Sequence, residues 1–311
     1  MKVSVVTPIR MGGPYNWGRT LVEMLSRCGI SGRHVHDLRG VLTSPLRQDS
    51  DIVHASIPIT LRLWRRPLIL TIHGEYPIER NVWRHFYPAS IRMADIVTTP
   101  SLFLKERLVL DDALVIPNAI FPERFKAVRH WDKASANIVT VTKFAFRDKA
   151  ESLIRLAHIM ENVQKCTDVP LDYTVVGGGK FLDEVKEKVH GNGLSARFTG
   201  FVDSPKDYFQ DRDIFAYYSV HDNFPIAILE AMASGLPVVT NRVGAVCEMI
   251  ENGRDGFIAR GEDEFHEYLL RLIDDPALRA RMGSNARNKV IERFNWHRVI
   301  NFYIKLYESL C

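Results

Sequence analysis

The sequence predicts an α/β protein built from two doubly wound, Rossmann-like parallel-sheet domains. Three observations lead there. Short β-branched runs recur along the chain, each apolar throughout, as in strands covered on both faces. Helical or loop segments separate them, which is the βαβ rhythm. The pattern breaks at the polar stretch 122–136, holding Arg124, Lys126, Arg129, His130 and Lys133, and then begins again. A chain of 311 residues is too long for one typical domain, and 46% hydrophobic with 25% charged residues allows a sizeable core. The expected organisation is a first domain over 1–125, a linker over 126–136, a second domain over 137–294, and a final segment 295–311 docking back on the first domain.

In the first half, residues 3–7 form a strand that ends at Pro8, followed by Gly12-Gly13-Pro14 and a helix from about Trp17 to Arg27, with Leu21, Met24 and Leu25 at helical spacing. Strand, glycine loop and helix let backbone N–H groups approach a phosphate, although a tight turn explains the two glycines equally well. Further strands are expected at 51–54, 68–73, 95–99 and 113–117. His54 and His73 fall at the carboxyl ends of two of them, the edge where open α/β sheets bind ligands. The Asp-x-Asp pairs Asp49/Asp51 and Asp211/Asp213 resemble metal ligands, but in each the second Asp begins a strand, on the opposite edge. His34-Val35-His36 lacks a nearby third ligand for zinc.

In the second half, a strand at 137–142 leads into Lys143-Phe144-Ala145-Phe146-Arg147-Asp148-Lys149 and a long helix. Cations just beyond a strand end suit a diphosphate; a solvated loop is the plainer reading. Residues 171–176 lead into Gly177-Gly178-Gly179-Lys180, which is neither a P-loop nor a dinucleotide fingerprint. Strands at 196–198 and 214–218 follow. Then comes Asp222-Asn223-Phe224-Pro225-Ile226-Ala227-Ile228-Leu229-Glu230-Ala231-Met232-Ala233-Ser234-Gly235-Leu236-Pro237. Pro225 suits a first helical turn, with Asn223 or Phe224 as the cap, and Gly235 with Pro237 ends the helix. Its near-continuous apolar character predicts burial on all faces, and Glu230 is the exception. A buried carboxylate needs a partner, from the protein or from a ligand's hydroxyls. After a strand at 238–240 and a turn near residues 252–256, two charged amphipathic helices precede a last helix capped by Asn295, with Val299, Phe302, Tyr303, Leu306 and Leu310 on one stripe. Thr7, His54, His73, Lys143, Gly177, Ser219 and Thr240 all follow strand ends, so two such edges facing each other would frame a cleft.

The four cysteines are scattered, indicating neither zinc nor a disulfide framework, which fits a reducing cytosol. The first residues do not read as a signal peptide, and no run approaches a membrane span. The net charge of +4 is uneven: residues 1–130 carry 18 basic and 11 acidic groups (+7), leaving 23 and 26 (−3) for the rest. The basic half suggests an anionic partner, and Leu61-Arg62-Leu63-Trp64-Arg65-Arg66 and Trp83-Arg84-His85-Phe86-Tyr87 mix cations with aromatics as interfacial segments do. Such runs are also ordinary solvated faces. No nucleic-acid module accompanies the charge.

Taken in order, these residues resemble the glycosyltransferase family 4 enzymes of GT-B fold. Gly12-Gly13 resembles the N-terminal glycine loop, Thr71-Ile72-His73-Gly74 the strand-end histidine, and Ile116-Pro117-Asn118-Ala119 the Ile-Pro-Asn-Gly turn. Lys143 and Lys149 resemble the diphosphate pair, and Gly177-Gly178-Gly179 and Phe198-Thr199-Gly200-Phe201-Val202 the nucleotide loops. Asp222 to Glu230 resembles the Glu-x7-Glu motif. The resemblance implies a retaining hexosyltransferase that moves a sugar from a nucleoside diphosphate (UDP or GDP) sugar to a glycan, lipid-linked or phosphorylated acceptor, with no metal or other cofactor. It implies Glu230 on the ribose, Asp222 and His73 on the sugar, Lys143 and Lys149 on the diphosphate, and Gly12, Gly13, Gly177, Gly178, Gly179, Phe201, Val202, Asn223, Phe224 and Pro225 around the nucleotide-sugar. The free cysteines and the basic first half lead to the expectation of a cytoplasmic protein, peripheral at the acidic inner face of a membrane. Departures are Asp222 for the commoner Glu, Lys143 for Arg, Ala150 for Gly, and a short first domain. The alternatives are a sugar-nucleotide epimerase or hydrolase, or a non-catalytic nucleotide-sugar-binding protein.

Overall fold

The computed structural model describes residues 1–8, 12–37, 50–59, 66–79, 82–127, 135–191 and 194–311. Asp49, most of the Leu61-to-Arg66 segment, the Trp83 side chain and the linker cations Arg129, His130 and Lys133 lie outside the described residues. The chain divides into two compact units, Met1–Ala119 together with Trp296–Cys311, and Ile120–Asn295.

The first unit holds β1 (Lys2–Val6), α1 (Gly13–Arg27), β2 (Ser31–Val35), β3 (Ile52–Ala55), β4 (Leu68–Thr71), α2 (Tyr87–Met93), β5 (Ile96–Thr99), α3 (Leu102–Arg107) and β6 (Leu114–Val115). All pairings are parallel, in the order β2-β1-β3-β4-β5-β6. The residues of β3 and β4 are buried throughout, as their apolar runs demand. The edge strand β2 is absent from the sequence reading. Its Ser-Gly-Arg-His-Val is mostly polar because one side of an edge strand is wet, and register with β1 (Val6 opposite Val35) holds it in place. α1 starts earlier than Trp17, at Gly13, with Pro14 in its first turn.

The C-terminal helix Trp296–Glu308 belongs to this unit. Its buried stripe is Trp296, Val299, Ile300, Tyr303, Leu306 and Tyr307, whereas Phe302 is 55% exposed and lies off it. The stripe carries polar handles inward. Trp17 Nε1 donates to the Tyr303 hydroxyl (3.0 Å), and His54 Nδ1 meets the Tyr307 hydroxyl at 2.6 Å. His54 Nε2 meets Thr71 Oγ1 at 2.6 Å, and Thr71 meets Thr98 at 2.6 Å. Both ring nitrogens of His54 are thereby used inside the core, and burial holds its pKa down near 3.

The second unit holds β7 (Ala136–Val141), α4 (Arg147–Lys165), β8 (Leu171–Val176), α5 (Leu182–Gly191), β9 (Ala196–Phe198), β10 (Ile214–Tyr217), α6 (Ile226–Ala233), β11 (Val238–Asn241), α7 (Val246–Met249), β12 (Gly256–Ala259), α8 (Glu262–Asp274) and α9 (Pro276–Arg293). Its sheet is parallel in the order β12-β11-β10-β7-β8-β9, so strand order reverses between β7 and β10. Crossovers leave that point on opposite faces, opening a crevice at the strands' carboxyl ends. The short strand β12, which the sequence reading passes over as part of a turn, completes the sheet. Segment 120–125 packs here too: Phe121, Pro122 and Phe125 are buried, and Arg287 Nη1 donates to the Phe125 carbonyl (3.0 Å). The second Asp of each Asp-x-Asp pair ties neighbouring strands together at their amino ends: Asp51 accepts from Lys2 N (2.7 Å) and Asp213 from Asn137 N (2.8 Å).

Candidate functional site

In the second unit, chemistry gathers where β7 and β10 part. β7 runs into an exposed Lys143, then the fully buried Phe144, which anchors the loop. Phe144 N donates to the Gly178 carbonyl (3.0 Å), and Phe181 N donates to the Phe144 carbonyl (3.1 Å). The glycine triplet is built for this contact. At Gly177 (φ +141) a Cβ would stand 1.7 Å from the Thr142 carbonyl oxygen, and at Gly179 (φ +148) 2.4 Å from the Phe144 backbone carbon. A Cβ on Gly178 would stand 2.7 Å from Phe201 N. The three glycines therefore let the β7, β8 and β9 loops nest on one another. Phe201 ends up 73% exposed and Val202 half-buried.

Lys149, in the first turn of α4, reaches across to the loop after β10. Its ammonium donates to Asp222 Oδ2 (2.6 Å), to the Tyr217 hydroxyl (2.9 Å) and to Ser219 Oγ (3.0 Å). Those are the three hydrogens an ammonium has. The Tyr217 hydroxyl in turn donates to Asp222 Oδ2 (2.5 Å), and Ser219 Oγ to the His221 carbonyl (2.9 Å). Burial, then the Asp222 charge and its hydrogen bond, push the Tyr217 phenol well above its usual range, so it stays protonated as a donor. Asn241 fixes the loop from β11, accepting from Ser219 N (2.9 Å) and donating to the Ser219 carbonyl (2.8 Å).

The helix α6 follows. Pro225 is itself the N-cap, with φ −71 and ψ 96, in place of the Asn223 or Phe224 cap expected from sequence. The side chains of Phe224 and Pro225 are buried, Phe224 edge-on to Phe294 at 6.3 Å, so they anchor the turn and only their backbone is available to a ligand. Asn223 Oδ1 is buried without a hydrogen-bond partner among the described residues. Gly244 (φ +53) backs onto this turn, where a Cβ would stand 2.3 Å from the Asp222 carbonyl oxygen. At the other end Gly235, φ +78, stops the helix as expected.

Glu230 is half-buried in an otherwise apolar helix, and no described residue donates a hydrogen bond to its carboxylate. Burial lifts its pKa from 4.5 to about 7, with the Lys143 charge pulling the other way. Lys143 forms no ion pair or hydrogen bond with any described residue, so carboxylate and ammonium sense each other across a gap. Lys149 is thus paired with Asp222, and Lys143 is the cation that Glu230 senses.

In the first unit, His73 lies two residues beyond β4, against Trp17 of α1 with ring centroids 4.6 Å apart. Its Nε2 is buried with no hydrogen-bond partner among the described residues, and burial alone lowers its pKa to about 3. Gly12 caps α1 and Gly13 opens it; neither has an atom within 4 Å of an added Cβ. The first unit thus brings the α1 start and His73 to one end of its sheet. Sequence reasoning passed over Trp17, Tyr217, Asn241 and Gly244 as site components, because each sits inside a run whose apolar or turn character explains it.

The sequence profile of glycosyl transferases group 1 matches residues 123–289, more than half of the chain. The chain belongs to that family. The profile of glycosyltransferase family 4 matches residues 1–124. This group 1 chain is similar to an MMP alpha-(1→4)-mannosyltransferase from Mycolicibacterium hassiacum, 25% identical over 85% of this chain and 63% of the relative's length. Among solved structures it is similar to sucrose-phosphate synthase from Thermosynechococcus elongatus, with TM-score 0.80, 15% identity and coverage of 100% and 99%. It is similar also to Anabaena HepE in complex with UDP and glucose, with TM-score 0.73, 17% identity and coverage of 99% and 100%. The fold of this group 1 member, two six-stranded parallel sheets with helices, is the GT-B fold.

Proposed function

We propose that this group 1 glycosyltransferase is a retaining enzyme that takes a sugar from a nucleoside diphosphate donor and passes it to an acceptor hydroxyl. The observation that carries this reading is Glu230, a half-buried carboxylate that receives no hydrogen bond from any described residue and senses the Lys143 charge. Vicinal ribose hydroxyls are the donors it lacks. Asp222 Oδ1 would accept from a sugar hydroxyl, because the described residues that bond this carboxylate use Oδ2. Lys143 would neutralise the departing diphosphate, with the Lys149 charge beside it; stabilising that leaving group is the main catalytic term. The loops at Gly177 to Gly179, at Phe201 and Val202, and at Asn223 to Pro225 would line the donor. In the first unit, His73 and the Gly12-Gly13 turn are proposed ligand contacts as well.

In this reading lysines supply the positive charge and no metal takes part. The similar HepE structure holds UDP and glucose, which makes UDP the first nucleotide to test. The acceptor class stays a glycan, lipid-linked or phosphorylated molecule, brought to an acidic membrane face by the basic first half of the chain. No helix among the described residues is long and apolar enough to cross a membrane.

Calorimetry with UDP, GDP and ADP tests the donor site: failure of all three to bind at millimolar concentration refutes the reading. Full loss of activity in chelator refutes metal independence, and an inverted product anomer by NMR refutes retention. Product analysis with and without acceptor separates transfer from hydrolysis or epimerisation. Cosedimentation with acidic liposomes tests the membrane part, which fails if no salt-sensitive binding is seen.

A further inference from the structure

We propose that Tyr217 is a positioning residue for the reaction: its hydroxyl locks Asp222 in the one orientation that leaves Oδ1 free for a sugar hydroxyl. This rests on the donor-site reading above and assigns the device that makes Asp222 selective for the sugar.

Asp222 is a short side chain on a loop, held by no helix or strand of its own. Its carboxylate receives both protein hydrogen bonds on Oδ2, from Lys149 (2.6 Å) and from Tyr217 (2.5 Å), and no described residue reaches Oδ1. An ammonium alone is a poor locator, since it bonds either oxygen from many angles. The phenol differs. Tyr217 is the last residue of β10, 4% exposed, with its ring stacked on Phe215 (centroids 6.1 Å, interplanar angle 13°), so its hydroxyl is fixed by the sheet. That hydroxyl also accepts from Lys149 (2.9 Å), and Lys149 lies 5.5 Å from the ring centroid. One rigid group therefore places the carboxylate and the ammonium together. With its three hydrogens taken by Asp222, Tyr217 and Ser219, Lys149 is held against the carboxylate. Substitution to Phe keeps the packing and deletes only the hydroxyl.

The test compares the parent protein, Tyr217→Phe, Asp222→Asn and the double variant. UDP and UDP-glucose binding are measured by calorimetry, alongside UDP release from UDP-glucose; GDP-mannose and ADP-glucose with their diphosphates serve if UDP does not bind. For Tyr217→Phe, affinity for the bare diphosphate stays within about twofold while turnover falls roughly 10–100-fold, the worth of one charge-assisted hydrogen bond. The extra affinity contributed by the sugar is lost as well. In the Asp222→Asn background the same substitution has little further effect, because there is no carboxylate left to orient. A merely structural tyrosine would give additive losses, and would weaken the diphosphate and the sugar nucleotide alike. Additivity, or parent-like sugar affinity and turnover in Tyr217→Phe, overturns the proposal. If the parent binds none of the three diphosphates, the donor-site reading itself fails and the proposal falls with it.

Discussion

Replacing Glu230 by Gln should stabilise the ligand-free protein while weakening nucleotide binding. Burial raises the Glu230 pKa from 4.5 to about 7. Between those values the folded state holds a proton that the unfolded state has released, so stability falls as pH rises from about 4.5 to about 7 and is level above. The rise from 4.5 to about 7 corresponds to about 3 kcal/mol lost at pH 8, and to less than about 1 kcal/mol at pH 5. Gln keeps the shape and carries no charge to desolvate, so urea denaturation of the variant against the parent should show a gain approaching 3 kcal/mol at pH 8 that shrinks at pH 5. In the same variant, UDP affinity at pH 8 should drop by about tenfold or more, as expected for losing a charged acceptor. Parent UDP affinity should itself weaken as pH falls below about 7, where the carboxylate protonates. A Gln variant less stable than the parent at pH 8, with unchanged UDP affinity, would refute the argument that Glu230 is kept under strain for a ligand.

Other consequences follow from the same geometry. Gly177→Ala combines a φ of +141 with a Cβ 1.7 Å from a backbone oxygen, so a loss of about 2–3 kcal/mol or more is expected by urea denaturation, together with weaker diphosphate binding as the Lys143 loop shifts. Lys149→Met strips Asp222 of its ion pair, which is about four-fifths shielded from solvent; turnover should collapse and stability fall by roughly 1–3 kcal/mol. In the first unit, His54 has a folded pKa near 3 against an ordinary 6.5, so its contribution is intact above pH 6.5 and drains away as pH drops below it. Tyr307→Phe should cost about 1–3 kcal/mol at pH 7.5 by leaving His54 Nδ1 unpaired, and a cost well below 0.5 kcal/mol would contradict the network.

Much of the architecture is legible in the chain because it rests on local physics. Apolar β-branched runs such as Ile69-Leu70-Thr71 and Ile214-Phe215-Ala216 can only be strands covered on both sides, and their alternation with helices dictates parallel sheets. Gly235 ends α6 because the left-handed turn there suits glycine, and Glu230 stands out as one charge in an apolar helix. What local physics does not carry is pairing. The polar β2 is a strand only because β1 lies beside it, and Phe302 leaves the apolar stripe because helix docking, not periodicity, sets which face is covered. His54, expected at a strand end like His73, lies inside β3, and its two nitrogens are taken by Tyr307, more than 250 positions away, and by Thr71. Lys149 likewise comes from a separate segment, which the sheet's reversal between β7 and β10 brings within 3 Å of Tyr217 and Asp222. Local patterning along the chain is enough to read the two sheets, the strand-end edges and the lone carboxylate. Which histidine is core, how Lys149 reaches Tyr217 and Asp222, and that the three glycines seat neighbouring loops are settled by packing alone, because those are contacts between residues distant in the chain.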